Sequence, residues 1–168
     1  LTHLMGTDNL GRDVFSRVIA GSRIALTIGI STIAIALVLG LILGLVAGYG
    51  PRWLDNLLML IFDSIYSFPT VVLGLTVVTL LGASVTTLVL VVIVIQTPAY
   101  ARLTRTATLT IKNSEYIQAI ESLGASKLRI IFLHILPNVV GPLLIVASMD
   151  IPSVVALEAG LTYLGMGI

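Results

Sequence analysis

The sequence predicts an all-α protein, a polytopic membrane helix bundle, on two observations. Of its 168 residues, 57% are hydrophobic and only 10% charged, whereas an ordinary soluble domain carries roughly 25% charged residues. The apolar residues also fall in runs near the length of a spanning helix, so lipid is the solvent for most of the chain. A soluble protein of mean hydropathy +1.11 would lack a polar coat and precipitate. The net charge of +1 offers no argument for nucleic acid. The absence of cysteine excludes disulfides, thiol catalysis and thiolate metal sites. No catalytic residue, metal site or cofactor is expected.

Residues 1–23 are polar to amphipathic and read as an extracytoplasmic or interfacial segment. Val14, Phe15, Val18 and Ile19 share one helical face, which fits a short helix lying in the interface with Arg12 and Arg17 reaching toward headgroups. A plain membrane-flanking linker fits the same spacing. The first span is expected over Ile24–Tyr49, closed by Gly50-Pro51, and at about 39 Å it can cross with tilt. Ala36, Gly40, Gly44 and Gly48 recur every four residues and form a smooth stripe for close helix packing.

A second stretch runs from Leu54 to Leu81, after an interfacial Trp53, and Pro69 is expected to kink it. Asp63 lies roughly 13 Å along this stretch if it is helical, and a helix-packing role is favoured for it over substrate binding. After the turn at Gly82-Ala83-Ser84 a third stretch covers Val85–Tyr100. A fourth runs from about Ile130 through Val155, where Pro137, Pro142 and Pro152 argue against a regular straight helix.

Between the last two lies a hydrophilic interruption, 102–129. Arg102, Arg105, Lys112, Lys127 and Arg129 outweigh Glu115 and Glu121 there, which places it in the cytoplasm. Counting back through the spans puts Arg52 on the same side and residues 1–23 outside. Within the interruption Tyr116, Ala119, Ile120 and Leu123 fall at i, i+3, i+4, i+7, an apolar stripe on a helix of about ten residues. Asn113 or Ser114 can cap its start, Gly124 can supply the left-handed position that ends it, and Ser126 can cap the next helix. So short a helix is marginal alone in water, so it must pack on its own bundle or on a partner. Periodicity does not choose between the two.

Gln118-Ala119-Ile120, then Gly124, then Leu136-Pro137 resembles the EAA loop of permease subunits in bacterial and archaeal ABC importers. Gln118 stands where Glu is usual, Ile120 where Ala is usual and His134 where Ile is usual. The segment from Gly6 to Asp13 with Ser16-Arg17, the segment Leu133–Asn138 and the segment Glu158–Gly167 are similar to parts of dipeptide, oligopeptide and nickel permeases. The resemblance implies a type I ABC importer transmembrane fold over residues 24–168, lacking its first and last spans. The ends of the sequence fit that reading, since Leu1 is not an initiator Met and Leu164 to Ile168 stops inside an apolar stretch.

The chain contains no G-x-x-x-x-G-K-[ST] phosphate-binding motif, so the resemblance implies that separate ABC ATPase subunits supply the energy. It further implies a second permease subunit, an extracytoplasmic substrate-binding protein and surrounding membrane lipid as partners. Peptide is the implied cargo class. The coupling contact falls on Tyr116, Gln118, Ala119, Ile120, Leu123 and Gly124. The alternative is an ion-coupled secondary transporter, with Asp63, Asp150 and Glu158 as its intramembrane carboxylates. It leaves the patterned cytoplasmic helix unexplained.

Overall fold

The computed structural model describes residues 4–82, 84–161 and 163. Ala83 of the expected turn at 82–84, and Thr162 and the residues from Leu164 onward in the expected Glu158–Gly167 segment, lie outside them. The elements are α1 (Val14–Tyr49), α2 (Arg52–Tyr66), α3 (Thr70–Leu81), α4 (Val85–Lys112), α5 (Glu115–Ser122), α6 (Lys127–Ile130), a π turn (Ile131–Ile135) and α7 (Leu136–Leu161). Three uninterrupted helical runs, Val14–Tyr49, Val85–Lys112 and Lys127–Gly160, are long and apolar enough to cross a membrane. The pair α2 and α3, bent by 88° at its break, makes a fourth if counted as one span.

The helix boundaries depart from expectation in three places. Residues 14–23 do not form a separate interfacial helix, because α1 starts at Val14 and runs unbroken for 36 residues. Polarity changes at Arg23, but neither proline nor a competing cap interrupts the backbone ladder there, and Asp13 caps the helix by accepting from the Ser16 amide. Arg12 and Arg17 both pair with Asp8, at 2.9 and 2.7 Å, while their side chains stay 54% and 55% exposed. Asp8 also accepts from the amides of Leu10 and Arg12, and chiefly the Arg12 amide holds its carboxyl below the ordinary 3.8. The second departure is α4, which continues past Tyr100 to Lys112. In the third, the final span is one helical run from 127 to 161.

That last run accommodates its prolines without breaking. Pro137 has no N–H and would clash with the carbonyl four residues back in a regular helix. The π turn just before it widens the ladder, with the Leu136 amide bonding to the Ile131 carbonyl. Asn138 then donates its side-chain amide to the His134 carbonyl at 2.7 Å.

The α1–α4 seam organises the bundle. Ala36 is fully enclosed. A Cβ at Gly40 would fall on Tyr100, one at Gly44 on the Ala101 carbonyl and Thr104, and one at Gly48 would lie 2.8 Å from Thr108 Cβ. Both helices advance four residues per contact in the same direction, so α1 and α4 are parallel. The bent α2–α3 pair must therefore return the chain to the side from which α1 set out. α7 runs antiparallel to both, with Val155 against Gly29 and Asp150 accepting from the Tyr100 hydroxyl at 2.9 Å.

Two ion pairs tie α2 to α4. Arg105 meets Asp55 through two nitrogens, Nη2 at 2.6 Å from Oδ2. Arg102 Nη2 lies 2.5 Å from Asp63 Oδ1. These pairs explain how α4 stays helical through its arginines: the charges find partners on the neighbouring helix instead of ending the span.

Candidate functional site

The connection from α4 to α6 is built by local chemistry that fixes each turn. α4 ends at Lys112 with Asn113 as its C-cap, and the Ser114 hydroxyl donates to the Ile111 carbonyl at 2.6 Å. Ser114 occupies the N-cap position of α5, though its side chain makes no capping bond there. The Gln118 side-chain amide closes the junction by donating to the Asn113 carbonyl at 3.2 Å. A glutamate in that place has no N–H to give. At the other end the Ala125 amide reaches the Ile120 carbonyl across Gly124, whose φ is +86°. This is the Schellman arrangement, and glycine adopts it without steric cost. Ser126 then caps α6 by accepting from the Arg129 amide.

α5 is only eight residues long and is held by tertiary contact. Ile117, almost fully buried, packs in a cluster with Ile130, Ile135 and Val139 at the foot of the bundle, and Ile120 flanks that cluster. The Tyr116 ring lies edge-on to His134 in the π turn, 6.1 Å between centroids. The remaining stripe positions turn outward. Ala119 is exposed, and Leu123 is 88% exposed, one of the most open large apolar residues in the protein.

The structure thus divides the expected stripe between two sides. Tyr116 and Ile120 touch this chain's own bundle, while Ala119, Leu123 and Gly124 face away from it. Ile117, which seats the helix, escaped the sequence pattern because the stripe was centred one residue too far along. The seam residues Ala36, Gly40, Gly44 and Gly48 lie elsewhere, between α1 and α4, and α4 leads directly into α5. Of the intramembrane carboxylates, Asp63 has Arg102 and Asp150 has Tyr100. Glu158 Oε2 is enclosed beside Thr32 without a hydrogen-bond partner among the described residues.

Residues 36–168 match the family described as binding-protein-dependent transport system inner membrane component. The chain belongs to that family. It is 39% identical over 165 residues to the glutathione transport system permease protein GsiD of Pectobacterium atrosepticum, an alignment covering 98% of this chain and 55% of that protein. The di/tripeptide transport system permease protein DppC of Pseudomonas aeruginosa is also 39% identical, with 98% and 54% covered. The dipeptide transport system permease protein DppC of Alkalihalophilus pseudofirmus is 36% identical over the same share of the chain. The chain spans about half the length of these curated relatives. As a multi-pass inner-membrane component of this family, it carries its exposed helix α5 between two spanning helices.

Proposed function

We propose that the chain is part of the permease of an ATP-driven importer of small peptides, and that α5 docks on a separate ATPase subunit. A second permease subunit and an extracytoplasmic binding protein complete the assembly in this reading. The observation that carries it is a short helix with two kinds of contact. Ile117 and Tyr116 bind α5 to the last span, while Ala119 and Leu123 present apolar surface that none of the described residues covers. A partner gripping the outer face moves the π turn and the span through the Tyr116–His134 contact. Rigid-body switching of the bundle between two states then follows from closure of the ATPases. The printed names of the relatives, glutathione, di/tripeptide and dipeptide permeases, support peptide as the cargo class.

Leu123→Asp tests the docking. Because Leu123 is exposed, the change leaves insertion and folding intact. A charge in a desolvated contact should weaken co-purification with the ATPase by about tenfold or more, and peptide uptake should fall with it. Undiminished association and uptake would refute the docking assignment.

A further inference from the structure

The bend between α2 and α3 opens a cleft that the coupling segment does not use. It encloses about 230 Å³ and is lined by Tyr66, Thr70, Gln96 and Ser153, with Ile95 and Leu157. Polar side chains within a spanning bundle are costly unless they have partners or line a path, and a broken helix is tolerated where its backbone faces a cavity. The walls of the cleft lead to two opposite charges. Ser153 lies one turn beyond Asp150 on α7, on the same face. Gln96 lies one turn before Tyr100, whose hydroxyl holds Asp150 Oδ2.

On the other side, Arg102 Cζ sits 4.7 Å from the centre of the Tyr66 ring. Tyr66, in the cleft wall, is thus the side chain on which Arg102 rests. Arg102 spends Nη2 on Asp63, which leaves guanidinium N–H groups for a second acceptor.

We propose that this cleft contacts the peptide in transit, Asp150 receiving its terminal ammonium, Arg102 its carboxylate, and Thr70, Gln96 and Ser153 its amide groups. The inference rests on the reading of the chain as a peptide permease. A short peptide is the ligand with opposite charges at its ends and hydrogen-bonding groups between them. The cleft is smaller than the roughly 300–1,000 Å³ of sites that enclose drug-sized ligands, so it takes a dipeptide or one end of a longer peptide.

The chain has no cysteine, so Ser153→Cys or Thr70→Cys gives it a single thiol in the cleft. The assembled importer, with its ATPases, second permease and binding protein, is reconstituted in vesicles and screened for ATP-dependent uptake of a panel of di- and tripeptides. The thiol is then modified with a charged methanethiosulfonate, with and without the best-transported peptide. Peptide should slow modification at both cleft positions but leave the rate at Leu144→Cys, on the opposite face of α7, unchanged. Adding Asp150→Asn keeps an acceptor for Tyr100 but removes the charge, so protection by a peptide with a free amino end should weaken about tenfold. A purely structural Asp150 predicts no such change. If no peptide is taken up, the peptide-permease reading fails and this site with it. If uptake proceeds but the cleft thiols react equally with and without peptide, or Asp150→Asn leaves protection intact, the cleft assignment alone is overturned.

Discussion

Gly44 shows how much one missing side chain decides. Its Cα faces the Ala101 carbonyl and Thr104, with no room for even a methyl group, and the backbone carbonyl cannot move aside. Gly44→Val should therefore destabilise the bundle by about 1–3 kcal/mol through overpacking, read as a lowered unfolding midpoint in detergent. Gly21→Ala is the control, because a Cβ there meets nothing within 4 Å, and it should be neutral or slightly stabilising. Asp8 makes a different residue-scale prediction. Its folded-state pKa lies below 3.8 because it accepts first from the Arg12 amide and then from the Leu10 amide and both arginine side chains. A depressed carboxyl stabilises above its ordinary value and loses that contribution as pH falls through the folded value. Acidification below about pH 4 should therefore release the 6–13 turn while the spans stay helical. Amide exchange at Leu10 and Arg12 measures it: protection that does not fall on acidification would contradict the account.

Among the elements, α4 gives the clearest lesson in what a pattern can hide. Its arginines read as the start of a loop because charge normally marks the exit from lipid. In the structure they face acidic residues more than thirty positions earlier on α2, a separation no local window spans. The Asp55–Arg105 pair is the more enclosed of the two, with side chains 16% and 29% exposed. Asp55→Asn should cost about 1–3 kcal/mol by leaving a guanidinium short of its acceptor. The exchanged pair Asp55→Arg with Arg105→Asp should recover part of that loss, which a double-mutant cycle on the unfolding midpoints reports. By contrast the breaks were legible. Pro69 marks the sharp bend, and Gly124 occupies the left-handed turn expected of it. Both are intrinsic limits of the backbone, proline through its missing N–H and glycine through its missing Cβ. The continuity of the last span was not legible, since a π turn that shelters Pro137 leaves no mark that a helical window would register.

For the whole molecule, the parallel run of α1 and α4 has a topological consequence. Tyr49 and Lys112 end on the same side, the Lys112 ammonium lying 4.8 Å from the centre of the Tyr49 ring. Helix α5 therefore emerges on the side where α1 ends, opposite residues 4–13. Single cysteines in this cysteine-free chain test it in intact cells. Leu10→Cys should react with an impermeant thiol reagent added outside, and Ser122→Cys only after permeabilisation. Labelling of both from one side would break the topology. Composition alone made this an all-helical membrane bundle, because in lipid each spanning segment must satisfy its own backbone hydrogen bonds. The sequence by itself also determined the glycine stripe, the bend at Pro69 and the turn at Gly124, each a property of one residue and its near neighbours. Only the tertiary structure decided which charges pair, that Ile117 seats α5, and that Ala119 and Leu123 remain uncovered. Those outcomes depend on residues brought together from distant parts of the chain, and periodicity along one helix carries no information about its neighbour.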